Sequence, residues 1–323
     1  MRLLLSILFS VFLITSCSTV QFDVDNLKCE HKINPVGVDI ANPRFSWMME
    51  SGRRGAKQTA YRIIVASTKE NCEQNVGDIW DSKKVVSEKS NQIFFAGKEL
   101  KSNSKYFWKV KVWNEENVEC TSKINYWISG LFNESDWEAK WIGLNKDVGD
   151  DDSGDVHTKL TARMLRHEFK VEKEIQSATA FISGLGLFEF YINGDKIGNQ
   201  VLAPGLTEYN KRVFYLTFDV TANLNKEQNA IGVILGNGRY FAPRLNLPTT
   251  TRTYGYPKMI CQIEIKYTDG TSSTIVSDET WKLTTDGPTR KNNEYDGEYY
   301  DAGKELPGWS EIGFDDSAWQ NAT

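Results

Sequence analysis

Apolar and polar residues alternate along most of this chain in short runs closed by turn-forming residues, the signature of β-strands rather than helices. Residues 61–66 read as one strand, and residues 105–113 alternate so that Tyr106, Trp108, Val110 and Val112 share a face. With Asn125–Ser129 as a closing strand, roughly residues 27–132 hold about seven short strands, the size of an immunoglobulin or fibronectin III-like sandwich. A second strand-rich region begins near Leu165. Residues 178–192 are broken at Gly184-Leu185-Gly186, and beyond the break Phe188, Phe190 and Ile192 alternate with Glu189 and Tyr191. Asn193-Gly194 then supplies a tight hairpin turn, because positive φ favours Asn and Gly. Residues 213–220, 229–235, 259–267 and 273–276 supply further strands, the last two flanking an Asp269-Gly270 turn. This pattern predicts a larger jelly-roll sandwich running to about Pro307. No long segment has a helical period, and the two β regions differ too much in length and pattern to be a repeat.

The expected organisation is all-β: a signal segment at residues 1–17, a fibronectin III-like sandwich at 25–132, a linker at 133–160, and a jelly-roll sandwich with a C-terminal tail at 161–323. Within the linker, residues 137–143 read as extended. The acidic, glycine-rich run 147–155 reads as a solvated loop, since it lacks the spacing and terminal Glu of an EF-hand.

Composition adds a few constraints. A chain of 323 residues, 40% hydrophobic and 25% charged, is folded and long enough for about two domains. Its 10 Trp and 13 Tyr suit sandwich cores and also stacking on sugar rings. A net charge of -5 gives no reason to expect nucleic acid as a partner, and 3 His leave little for a His-based metal site or triad. At the N-terminus, Met1-Arg2, the apolar run 3–14 and Ile14-Thr15-Ser16-Cys17 form the pattern of a bacterial lipoprotein signal. The run is short of the roughly 20 apolar residues that span a bilayer. Cleavage before Cys17 would make it the acylated N-terminus, with each buried CH₂ contributing about 0.8 kcal/mol of membrane affinity. The expected location is therefore exported and membrane-anchored, periplasmic or cell-surface. Cys29, Cys72, Cys120 and Cys261 would meet an oxidising compartment. Their spacing fits no zinc motif and leaves open one disulfide within the first domain or buried free thiols.

The most informative strings lie in the second region: Gly184-Leu185-Gly186-Leu187-Phe188-Glu189-Phe190-Tyr191-Ile192-Asn193-Gly194, Leu202-Ala203-Pro204-Gly205-Leu206-Thr207-Glu208-Tyr209, Leu235-Gly236-Asn237-Gly238-Arg239-Tyr240, and Tyr295-Asp296-Gly297-Glu298-Tyr299-Tyr300. In this order they resemble the N-terminal modules of bacterial α-L-rhamnosidases of glycoside hydrolase family 78. The first region resembles that family's fibronectin-like lead module through Asn34-Pro35-Val36-Gly37, Pro43-Arg44-Phe45-Ser46-Trp47 and Ile79-Trp80-Asp81-Ser82. Two positions depart from the pattern: Leu206 and Arg239 stand where family members often carry Trp.

The resemblance implies an accessory front end of an enzyme that hydrolyses terminal α-L-rhamnose from glycans, inverting the anomeric carbon with a general acid and a carboxylate that activates water. That pair belongs to an (α/α)₆ barrel expected beyond Thr323, so no catalytic residue is assigned and the chain by itself is expected to be inactive. The alternatives are a stand-alone rhamnose- or glycan-binding envelope lipoprotein and an inert spacer. In some relatives the second module binds L-rhamnose with Ca²⁺, whose oxygen ligands can include vicinal sugar hydroxyls. On that implication the candidate metal donors are Glu189, Asn237 and the carbonyl of Pro243, and the candidate sugar contacts are Tyr209, Arg212 and Tyr240. Gly236-Asn237-Gly238 is equally a good positive-φ turn, and the two tyrosines suit packing. Trp309, Phe314 and Trp319 are expected to pack the tail onto the sandwich, and Asp315-Asp316 to act as a cap.

Overall fold

The computed structural model describes residues 22–144, 160–243 and 253–323. Cys17, the signal segment and the acidic run 147–155 lie outside the described residues. The described chain is almost entirely β, with one short α-helix at Lys69–Glu73, whose N-cap Thr68 accepts a hydrogen bond from the Asn71 amide at 3.1 Å. No helix among the described residues is long and apolar enough to cross a membrane.

The first sandwich has two sheets. Phe22–Cys29, Arg44–Ser51 and Ile93–Phe94 form one, and the other runs Val36–Val38, Asn125–Ser129, Lys105–Asn114, Gln58–Ala66, Trp80–Asp81. The alternation in Lys105–Asn114 turns Tyr106, Trp108, Val110 and Val112 inward, and all four are buried. Trp108 meets Phe45 at 4.5 Å between ring centroids. Buried Gln58 is paired at both ends: the Trp47 indole N–H donates to Gln58 Oε1 at 2.8 Å, and Gln58 Nε2 donates to the Ser87 and Lys89 carbonyls. Cys29, Cys72, Cys120 and Cys261 are all free thiols, three of them buried. Burial pushes the Cys72 thiol up to about 11 and the Cys261 thiol to about 12, so neither is a thiolate near neutrality.

The chain also divides into two compact units. One contains Asn42–Lys98 and Tyr106–Tyr126 with the described residues up to Asn34; the other contains Pro35–Ala41, Glu99–Lys105 and the residues from Trp127 onwards.

The second sandwich packs a five-stranded sheet, in the path Ile142–Gly143, Lys258–Tyr267, Ile175–Leu185, Leu216–Asp219 with Ser272–Val276 on Lys258–Tyr267, against a six-stranded sheet. The latter runs Asp195–Lys196, Leu187–Ile192, Glu227–Gly236, Arg163–Val171, Lys282–Thr284, Gln320–Asn321. Ile182, Phe190, Ile231, Val233, Ile263 and Trp281 lie in the shared core. Fully burying side chains of this size contributes roughly 1.5–3 kcal/mol each. The break at Gly184-Leu185-Gly186 is real: Gly186 has φ 135 and lets the chain pass from one sheet to the other. Asn193 and Gly194 take the positive φ values that the hairpin turn requires.

Two expectations shift. The strand expected at 213–220 is only Leu216–Asp219, because the Phe214 carbonyl is taken by the Ser183 hydroxyl at 2.7 Å instead of a strand partner. The sandwich also continues past Pro307, since Gln320–Asn321 pairs with Lys282 and Leu283 and Trp319 is buried. Asp315 accepts from the Ser317 amide as a turn cap, whereas Asp316 forms an ion pair with buried Arg166.

Candidate functional site

In Leu187–Ile192 the inward Phe188, Phe190 and Ile192 leave Glu189 and Tyr191 on the outer face of the six-stranded sheet. The register sets Glu189 opposite Ile234 and Tyr191 opposite Gly232. Gly232 has no side chain to fill the space above it, and Trp309 occupies that space: a Cβ there would lie 2.7 Å from the Trp309 ring and 2.6 Å from Ser310 Cβ. Trp309 meets Tyr191 edge-on at 5.5 Å. Glu189, Tyr191, Trp309 and Ser310 line a cleft of about 1130 Å³ together with Leu202, Leu206, Tyr209, Arg239, Glu294 and Tyr300. The hairpin Thr289–Asn293 and Gly297–Tyr300 supplies part of the wall.

The polar groups of the cleft are organised. Glu189 accepts from the Tyr191 hydroxyl at 2.7 Å and pairs with the Lys196 ammonium. Partial burial opposes ionisation of Glu189, but Lys196 and the Tyr191 hydroxyl outweigh it and hold the carboxyl below its usual range. Burial, and then the Glu189 carboxylate, push the Tyr191 hydroxyl up. At neutral pH the pair is thus a charged acceptor beside a neutral hydroxyl. The Arg239 guanidinium lies 5.9 Å from the Tyr254 ring and 5.5 Å from the Tyr295 ring, with Glu294 at 3.8 Å. Tyr300 donates its hydroxyl to Glu305 at 2.8 Å.

The residues expected from sequence are dispersed. Glu189 and Tyr209 line the cleft. Tyr209 also lines a second, smaller pocket of about 230 Å³ with Tyr240, Tyr254 and Trp141. There Tyr209 meets Tyr240 at 5.1 Å and Tyr254 at 5.2 Å, while Tyr240 stacks on Tyr254. Burial raises the pKa of both Tyr209 and Tyr240. Arg212 is exposed and lies over the Phe214 ring at 5.6 Å. Pro243 is buried, and Arg212, Pro243 and Asn237 line neither concavity.

Asn237 is fully buried and committed to the protein: Nδ2 donates to the Leu160 and Asn292 carbonyls at 2.6 and 2.8 Å, and Oδ1 accepts from Arg163 Nη1 at 3.3 Å. Oxygens facing an ammonium (Glu189) and a guanidinium (Asn237) do not make a shared seat for Ca²⁺, which takes six to eight oxygens and is repelled by both cations. As placed here, Glu189 and Asn237 do not fit the ion. Among the described residues no group of three or more His, Cys, Asp or Glu is arranged to hold a metal.

Sequence reasoning alone placed Tyr191 on the outer face but not in a site, and assigned Trp309 only to packing. The signal for Tyr191 was in the strand alternation. For Trp309, which both packs and lines the cleft, the complementary signal was Gly232, about eighty positions earlier in the chain.

Two all-β sandwiches, the second carrying a cleft lined by aromatic rings and carboxylates, define a tandem β-sandwich protein with a concave site of the kind small molecules occupy. Comparison with known proteins is more specific. Residues 24–133 match the Rha78A-like N-terminal immunoglobulin domain, and residues 173–323 match the α-L-rhamnosidase N-terminal domain. An α-L-rhamnosidase of Formosa agariphila is 38% identical over 98% of this chain and 36% of its own length. The structure of the Dictyoglumus thermophilum α-L-rhamnosidase superposes with a TM-score of 0.84 at 44% identity, over 93% of this chain and 34% of that one. That of a Streptomyces avermitilis α-L-rhamnosidase complexed with L-rhamnose has a TM-score of 0.85 at 24% identity, over 94% of this chain and 45% of that one, and shows the shared fold. The chain therefore belongs to the N-terminal, two-sandwich region of the bacterial α-L-rhamnosidases of glycoside hydrolase family 78. It spans about a third of the length of curated α-L-rhamnosidases that it matches.

Proposed function

We propose that the second sandwich binds rhamnose-containing glycans in the cleft of Glu189, Tyr191, Tyr209, Arg239, Tyr300 and Trp309, as the accessory front end of an α-L-rhamnosidase activity. The observation that carries this reading is the cleft itself. Its volume is slightly above the roughly 300–1,000 Å³ of a small-molecule site, and it combines ring faces with a pre-ordered acceptor and donor, Glu189 and Tyr191. Sugars offer apolar C–H faces and hydroxyls that both give and take hydrogen bonds, which this lining matches. The L-rhamnose complex of the Streptomyces avermitilis relative supports the choice of sugar. The hydrolytic step is assigned to the part of the relatives' length that this chain does not match. The second reading, a stand-alone glycan-binding envelope lipoprotein, uses the same cleft.

Calorimetric titration tests the proposal. Methyl α-L-rhamnopyranoside should bind with a Kd no weaker than about millimolar, and the same chain should not release nitrophenol from 4-nitrophenyl α-L-rhamnopyranoside. No heat at saturating sugar would end the binding reading, and turnover above a buffer control would show a catalytic site in these residues. Repeating the titration with Ca²⁺ and with a chelator tests the family's ion. A calcium requirement would mean that Lys196 and Arg163 yield Glu189 and Asn237 to the metal.

The lipid anchor at Cys17 belongs to the same proposal and places the cleft at the cell envelope. Cells expressing the Cys17→Ser variant should lose incorporation of labelled palmitate into the protein and release it from the membrane fraction. Unchanged labelling would rule the anchor out.

A further inference from the structure

Arg166 lies in Arg163–Val171, a central strand of the six-stranded sheet, directly opposite Gly232, which is in turn opposite Tyr191. The row Tyr191, Gly232, Arg166 thus crosses the outer face beneath the segment that carries Trp309. The Arg166 side chain is 1% exposed, and all five of its N–H donors are used. Nε donates to the Trp309 carbonyl at 2.9 Å. Nη1 donates to the Phe314 carbonyl at 3.4 Å and to the Asp316 carboxylate. Nη2 donates to the Glu168 carboxylate at 2.6 Å and to the Glu311 carbonyl at 2.9 Å. Glu168 also accepts from the Gly313 amide at 2.8 Å, and the Phe314 ring lies 5.4 Å from the guanidinium.

The held segment has little order of its own. Between Tyr300 and Gln320 it forms one 3₁₀ turn, Ala302–Lys304, and local turns such as Trp309 N–H to the Leu306 carbonyl at 3.1 Å. A buried charge is a poor device for stability alone, since an apolar side chain of the same size packs as well or better. What it supplies is orientation. A planar fork fixes three backbone carbonyls at once, and the three donors of a lysine ammonium cannot reproduce it.

We propose that Arg166 is the positioning residue of the cleft: by gathering the carbonyls of Trp309, Glu311 and Phe314 it sets the wall that keeps Trp309 over Gly232 and against Tyr191. Its consequence for sugar binding rests on the cleft being the glycan site. Arg166 touches no ligand itself and acts through Trp309.

The test uses the full chain and the variants Arg166→Met, Arg166→Lys, Asp316→Asn, Trp309→Ala and the Arg166→Met/Trp309→Ala double. Amide exchange at residues 306–314 should rise at least about tenfold in Arg166→Met, less in Asp316→Asn, and not be restored by Arg166→Lys, while Lys258–Tyr267 keeps its protection. The Kd for methyl α-L-rhamnopyranoside should weaken about tenfold in Arg166→Met and in Trp309→Ala, and no further in the double variant, as expected for residues acting as a unit. Unchanged exchange in this segment, or looser exchange with an unchanged Kd, or losses that multiply in the double variant, would each overturn the assignment. If Arg166→Met does not fold, Asp316→Asn carries the same comparison, because its carboxylate is partly solvated. If the unmodified chain binds no rhamnoside, the sugar reading falls, and the exchange result alone decides whether Arg166 sets the wall.

Discussion

Asn237 illustrates how one residue serves two readings of the same motif. Its place in Leu235-Gly236-Asn237-Gly238 is equally that of a ligand and of a turn former, and the structure uses it as a buried connector. Its backbone N–H donates to Asn292 Oδ1 at 2.6 Å, and its side chain ties Leu160, Asn292 and Arg163 together. Removing such a side chain leaves buried donors and acceptors unpaired, at roughly 1–3 kcal/mol for each group. Asn237→Ala should therefore lower stability by about 2–4 kcal/mol in urea unfolding. A loss under about 0.5 kcal/mol would mean that water replaces the amide. Tyr191 and Glu189 make the complementary point, since they were legible as outward-facing from alternation alone. Their mutual hydrogen bond and the Lys196 pairing were not, because side-chain partners two and seven residues away depend on rotamer and hairpin register.

At the scale of elements, the cleft depends on a glycine in the middle of a strand. Interior glycine ordinarily weakens a strand and marks a close approach, and Gly232 meets the Trp309 ring. Gly232→Ala should displace the 306–311 segment, shift the tryptophan emission to the red and weaken rhamnoside binding. The sheet should stay intact, because Glu227–Gly236 keeps its backbone partners on both sides. An unshifted spectrum with normal binding would show that the segment adjusts without cost. The strand pattern marked long strands of both sandwiches, such as Gln58–Ala66, Lys105–Asn114, Glu227–Gly236 and Lys258–Tyr267, but left Arg44–Ser51 and the Thr289–Asn293 and Gly297–Tyr300 hairpin unmarked, and it failed at Val213–Tyr215 and after Pro307 for the same reason. Whether an extended segment is a strand is decided by the backbone it meets: the Ser183 hydroxyl in the first case, Lys282 and Leu283 in the second.

For the whole molecule, titration behaviour follows from the direction of its pKa shifts. Glu30 beside Arg44, Asp81 beside Arg62, and Asp269, lowered to about 2 by the Thr271 hydroxyl and Lys173, all ionise more readily when folded. Burial also keeps His167 neutral below its usual range. A folded pKa below the unfolded one means that the unfolded chain binds more protons, so this stability is complete above the unfolded values and is lost as pH falls. In the alkaline direction Cys261 and Tyr215, each raised by burial to about 12, contribute stability that is complete below their unfolded pKa and lost as pH rises through the folded one. Urea midpoints should thus be highest near pH 7–8, fall from about pH 6 towards pH 2, and fall again above about pH 9. A midpoint that rises between pH 5 and pH 3 would contradict the carboxylate assignments. By itself the sequence determined that this chain is two β-sandwiches of the α-L-rhamnosidase N-terminal type, because alternation and turn residues act over a few positions and motif order persists along the chain. The tertiary structure alone decided which polar residues face one another. Asn237 went to a buried network and Glu189 to Lys196, while Trp309 met Gly232 and Arg166, because those partners are brought together by sheet register rather than by nearness in sequence.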